Sequence, residues 1–296
     1  MNSIIGIIIA ALGAISKSAS EILSKRNFLS DVDVYVHAWA FRFFALPFLF
    51  LVFIVSGGIP DIEPGFYESL AVTVPIGIIS TILYMKALNA ADISIISPIS
   101  GLSPLLLLMT TPLIVSEVPS VLGLIGVLIA TSGIYLLEVD KTNKSINILQ
   151  PFKSLSENPG AKYIIIVVLL YSISAPVDKI GVLASSPIMY TLTHHVGVVS
   201  VLTPLMLYKH GSETIPKIRN DIKFVSTVGA LSGLAVLLQM IALTYTLVIY
   251  VITVKRCGIL ISVLYGSQNK NKYSKQRIIA GFVILIGLIL ISLSVI

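Results

Sequence analysis

The chain has 296 residues, 56% of them hydrophobic and only 11% charged, with a mean hydropathy of +0.97. Ordinary globular domains carry roughly 25% charged residues, so this composition excludes a water-soluble enzyme and describes a polytopic membrane protein. In that setting the net charge of +6 marks loops facing an anionic lipid leaflet and not a nucleic acid. The single cysteine, Cys257, sits in an apolar run and excludes an intrachain disulfide or a cysteine-rich metal site.

Crossing a bilayer core takes about 20 apolar residues. Ten such spans are predicted in chain order: Ile4–Ser24, Tyr35–Val55, Tyr67–Leu88, Ile93–Val115, Val118–Glu138, Tyr163–Leu183, Ile188–Tyr208, Phe224–Leu243, Leu247–Tyr265 and Ile278–Val295. The first lacks a basic leader and a cleavage site and is read as a retained helix. Turn chemistry separates the spans, as in Gly57-Gly58-Ile59-Pro60, Asn158-Pro159-Gly160 and Ser185-Ser186-Pro187. The longest separator, a basic loop over residues 140–161, divides the chain into halves at 1–139 and 162–296. Five spans per half is an odd number, so the second half enters the bilayer inverted. The expected fold is therefore all-α, ten transmembrane helices in two inverted five-helix repeats.

The halves echo one another. At an offset of 155, Met85/Met240, Ala87/Ala242, Leu88/Leu243, Leu105/Leu260, Gly126/Gly281, Ile129/Ile284 and Ile134/Ile289 coincide. Nearer the front, at 157, Glu21/Asp178, His37/His194 and Pro47/Pro204 coincide. Within this frame the fourth span carries Pro98, Pro104 and Pro112, and the fifth carries Gly123, Gly126 and Gly133. A proline in a membrane helix frees a carbonyl that persists only against protein or a wet cavity, whereas glycine permits close helix approach. The fourth span is expected to line a cavity and the fifth to pack. The basic residues of the loops, among them Lys25, Arg26, Lys141, Lys144, Lys153, Lys162, Lys209, Lys217, Arg219, Lys223, Lys270, Lys272, Lys275 and Arg277, all fall on one side. The positive-inside rule puts that side in the cytoplasm and both termini outside.

Charges inside spans are costly and usually face the bundle interior. Lys17 and Glu21 lie four apart on one helical face, as a structural ion pair or as groups handling substrate or protons. Asp178 and Lys179 are adjacent, so they point apart and do not simply neutralise each other. Arg42 stands among Trp39, Phe41, Phe43 and Phe44; cation–π packing and ligand contact are both open. Lys86 reads as an interfacial anchor. His194 and His195 lack the further ligands of a zinc helix. Lys255-Arg256 in the ninth span has no charge partner within four residues. It calls for a cavity, a carboxylate such as Glu21 or Asp178, or an anionic ligand. No phosphate loop, aspartate box or nucleophile elbow occurs, and no cofactor is expected.

Ser97-Pro98, Pro112-Leu113, the Glu117-Val118-Pro119 hinge and the Gly123/Gly126/Gly133 series resemble the drug/metabolite transporter superfamily, EamA type. Val254-Lys255-Arg256 followed by Ser262-Val263-Leu264 and Gly266 is similar to some members. The resemblance implies a secondary carrier of metabolites or drugs, with the fifth and tenth helices peripheral to a central cavity. It also implies cytoplasmic termini, opposite to the loop count. Lys272 falls where the second repeat would repeat Glu117, a departure from the family pattern.

The expected function is a secondary transporter in the cell membrane moving a small anionic or zwitterionic metabolite by alternating access. Lys255, Arg256, Glu21, Asp178, Ser97 and Gln239 are expected at the substrate, and Lys17, Pro98 and His194 in coupling or gating. The alternatives are a lipid scramblase or conduit, and a membrane enzyme using His194 and His195 on a lipid-linked substrate.

Overall fold

The computed structural model describes residues 2–27, 34–91, 93–139, 158–210, 221–261 and 275–296. Among these residues every regular element is helical: α1 (Asn2–Asn27), α2 (Val34–Phe43), α3 (Leu46–Val55), α4 (Pro64–Ala90), α5 (Ile93–Gly101), α6 (Ser103–Val115), α7 (Val121–Val139), α8 (Pro159–Leu183), α9 (Pro187–His210), α10 (Ile222–Leu243), α11 (Val248–Cys257) and α12 (Lys275–Leu293). Seven stretches are long and apolar enough to cross a membrane: Ser3–Leu23, Ala38–Val55, Pro64–Ala90, Ile95–Val115, Pro159–Leu183, Pro187–Tyr208 and Ile222–Leu243. Val121–Leu137 and Arg277–Leu293 are apolar but shorter. The chain is an all-helical, multi-pass integral membrane protein. The loop lysines and arginines over 141–153, 217–219 and 270–272, together with Ser262-Val263-Leu264 and Gly266, lie outside the described residues, as do the side chains of Lys25, Arg26, Lys209, Lys275 and His37.

Three predicted spans are not single helices. The second breaks between α2 and α3, with Pro47 in the first turn of α3, where a missing N–H costs nothing. The fourth breaks at Leu102, just before Pro104 in the first turn of α6. Pro98 and Pro112, also expected to interrupt this span, ride inside α5 and α6. The ninth was expected to run through from Leu247, but α11 stops at Cys257. The next residue, Gly258, presses against α1: a Cβ there would lie 3.1 Å from the Ala14 Cβ, and Ser18 Oγ donates to the Gly258 carbonyl at 2.8 Å.

Glycines set the closest helix pair, α7 with α12. A Cβ on Gly126 would sit 2.8 Å from the Ile291 nitrogen, and one on Gly133 2.9 Å from the Ile284 nitrogen. The fifth span is thus the packing helix its glycines predicted. Gly281, the repeat counterpart of Gly126, is different: its nearest neighbour would be the Leu260 methyl at 3.7 Å. Gly126 and Gly281 match in sequence but not in packing.

At the centre lies α11. Val248, Ile249, Tyr250, Val251 and Thr253 are almost wholly inaccessible, packed by α1, α6, α7 and α10. Seven of its ten residues are buried, and the two cations of its last turn are partly so. Gly126→Ala should lower the thermal midpoint in detergent, by about 1–3 kcal/mol of overpacking. Gly281→Ala should leave it unchanged or raise it; equal losses at both positions would contradict the packing described.

Candidate functional site

A short buried helix leaves N–H groups unpaired at one end and carbonyls at the other. At the α11 N-terminus the missing acceptor comes from Glu117. Helix α6 ends at Ser116, whose φ of 55° is left-handed, and the Glu117 N–H returns to the Thr111 carbonyl at 3.3 Å. This is the closure by which helices commonly stop, and it turns the Glu117 side chain toward α11. One carboxylate oxygen accepts the Val248 N–H at 2.8 Å, and the other pairs with Lys179 Nζ. Lys179 also donates to the Thr246 carbonyl at 2.8 Å. With the two side chains only 13% and 12% exposed, the pair ties α8 to the α6–α7 link and the α10–α11 link.

At the opposite end, Lys255 and Arg256 occupy the last turn of α11, where the helix dipole favours cations. Lys255 Nζ donates to Gln239 Oε1 on α10. Arg256 Nε donates to Ser103 Oγ at 3.0 Å, at the start of α6. Lys255 is close enough to Lys17, Glu21 and Asp178 to interact with their charges, and Asp178 is close enough to Arg42.

A polar chain crosses α8, α9 and α4. Tyr190 Oη donates to Asp178 Oδ1 at 2.9 Å, and Ser174 Oγ approaches Oδ2 at 3.4 Å. Thr73 Oγ1 lies 2.8 Å from Tyr190 Oη. Because Tyr190 gives its proton to the carboxylate, the threonine is the donor in that second bond. His194 stacks on the Tyr190 ring and places Nε2 3.3 Å from the Thr73 carbonyl. His195 directs Nδ1 at the Thr191 carbonyl, 2.9 Å away, so that nitrogen carries the proton. Trp39 beside Arg42 donates to Thr203 at 2.9 Å.

The structure therefore brings Lys255, Arg256 and Gln239 together, with Asp178, Glu21 and Lys17 in electrostatic range. Ser97 and Pro98 lie in α5, which packs chiefly on α7 and α8. His194 belongs to the Tyr190 chain. Glu21 and Asp178, paired across the repeat, differ in setting: Asp178 is buried, whereas Glu21 is half exposed and 3.2 Å from Lys17. Sequence reading missed the Glu117–Lys179 pair, Ser103 and Tyr190. A lysine without an acid one turn away, and an acid stranded in a short hinge, were the available signals for the first.

The inward face of α1 changes character along its length. Ala10, Ala14, Lys17 and Glu21 follow helical spacing on one face. Ala10 and Ala14 are 2% and 4% exposed, but the Lys17 and Glu21 side chains are 44% and 48% exposed. The lipid-directed positions Ile5, Ile8, Leu12 and Ile15 lie on the other side. This face of α1 is thus buried at Ala10 and Ala14 and half exposed at Lys17 and Glu21.

Residues 4–139 match the model of the EamA-like transporter family. The chain carries an EamA-type unit. A solved crystal structure superposes over 97% of this chain and 96% of its own, with a TM-score of 0.75 and 14% sequence identity. At that identity the likeness concerns the fold alone, and it shows that the chain shares one arrangement over 97% of its length with a known protein. No curated protein matches the sequence.

The Glu117–Lys179 pair should be a strong stabilising contact. Glu117→Gln or Lys179→Met each strands a buried charge and should cost about 3–5 kcal/mol. The double variant should lose clearly less than the two losses combined, as read by thermal unfolding of all four proteins. Simple additivity would show that the pair is not coupled.

Proposed function

We propose that this EamA-type protein is a secondary carrier of the cell membrane that moves a small anionic or zwitterionic metabolite, an amino or organic acid, by alternating access. Its two halves, 1–139 and 162–296, are inverted five-helix repeats, with the basic loops in the cytoplasm and the termini outside.

One observation carries this reading: two broken helices meet. The break before α6 falls at Leu102 and the break after α11 at Gly258, positions that agree to within one residue at the 155-residue offset. Interrupted segments at matching places in two halves point to the substrate site of duplicated carriers. Here Arg256, next to the second break, reaches Ser103 at the first. The helix pairing supports the same symmetry, since α1 with α10 becomes α8 with α4 when the halves are exchanged.

The chemistry follows from the donors. Lys255 and Arg256 offer an ammonium and a planar guanidinium, which suit a carboxylate, while Gln239 supplies an amide. Asp178 and Glu21 are placed to meet a substrate ammonium or a coupling cation. Members of the family are transporters, and the buried, carbonyl-bonded His195 favours no enzymatic role for the histidine pair.

Replacing Lys255 and Arg256 together by Gln should abolish exchange of radiolabelled amino and organic acids in proteoliposome counterflow, while the protein still inserts and elutes as a single species. Undiminished exchange in that variant would refute the assignment. Equilibration of the wild-type protein without stimulation by solute on the far side would indicate a conduit instead.

A further inference from the structure

At the Lys179 end of the molecule lies an open cleft of about 350 Å³. Its wall is built from hydroxyl groups, including Ser120, Thr246, Tyr250 and Ser294, around the Lys179 side chain, and no carboxylate lines it. Gly123 leaves the room that the Tyr250 hydroxyl needs, and that hydroxyl donates to Ser294 Oγ at 3.2 Å, whose own proton goes to the Ile291 carbonyl at 2.7 Å. The Thr246 hydroxyl, on a residue 5% exposed, has no hydrogen-bond partner. Buried hydroxyls in native structures are nearly always paired; this one, like those of Ser69, Ser80 and Thr131, is not.

The cleft borders a place that already selects a carboxylate. Glu117 sits there on an ammonium and on the first N–H of α11, the pairing that suits an anion at a helix start. We infer that the cleft is a second binding site for small carboxylates, in which an incoming ligand takes hydrogen bonds from the hydroxyl wall and competes with Glu117 for Lys179. This deepens the carrier reading, and rests on it for the source of the ligand: a solute arriving at the closed side would loosen the contact that keeps that side closed.

The test uses the full chain in detergent, with Ser294→Cys as the reporter and a maleimide as the probe. Wild-type protein is the blank, because its one thiol, Cys257, is buried. If acetate binds with a dissociation constant near 1 mM, about 10 mM acetate should slow labelling roughly tenfold. Acetamide, and chloride at matched ionic strength, should not. Lys179→Gln added to the reporter should remove the protection. Ser120→Cys gives the same readout should the first reporter fold poorly. Labelling indifferent to acetate, protection by acetamide as strong as by acetate, or protection that survives Lys179→Gln each overturns the proposal. Counterflow in the Lys255/Arg256 variant reads the central site separately, so loss of one result leaves the other standing.

Discussion

Helix α11 has only ten residues, seven of them buried, and both its ends lie inside the protein. Backbone groups left unpaired at such depth cost several kcal/mol each, so each end must find a partner from another segment. Glu117 answers the N-terminal donors, with Lys179 balancing its charge. Lys255 and Arg256 stand at the C-terminal carbonyls, and Ser18 caps the carbonyl of Gly258 beyond them. Acid at the start and base at the finish is the order a helix dipole favours. Because the partners come from α1, α6, α8 and α10, satisfying this one helix draws the bundle together.

The two ends are satisfied differently, and this difference has functional weight. The N-terminal end is closed by the buried Glu117–Lys179 ion pair. At the C-terminal end Lys255 donates to Gln239 and Arg256 to Ser103. Breaking a buried ion pair costs about 3–5 kcal/mol, so exchange of partners is hard at Lys179.

Much of the helical content was legible because a membrane helix announces itself by composition, and the packing role of Gly126 and Gly133 followed from the absence of a Cβ. The breaks were partly legible. Pro104 and Pro47 mark them, yet Pro98 and Pro112 look the same in sequence and sit inside helices, since neighbouring segments decide which freed carbonyl is tolerated. The stop after Cys257 was hidden because Gly258 acts through contact with Ala14, far away in sequence. The cationic pair was found as an anomaly in an apolar run. Its partners were not, because a glutamine and a serine carry no charge to betray them. Lys179 was recognised as unable to pair with Asp178, but its acid came from a hinge 62 positions earlier, a distance no helical periodicity can bridge.

The proposed alternating access is tested most directly by spin-label distances between the two ends of the full-length protein. One pair, at Val118 and Tyr245, reports the Glu117–Lys179 end; the other, at Asn89 and Lys223, reports the opposite end. In otherwise wild-type protein each pair should give one narrow distance. In Lys179→Gln the first pair should gain a longer population while the second gains a shorter one in the same proportion. Lengthening at Val118–Tyr245 with no change at Asn89–Lys223, or no change at either, would contradict a lock that governs access from both sides.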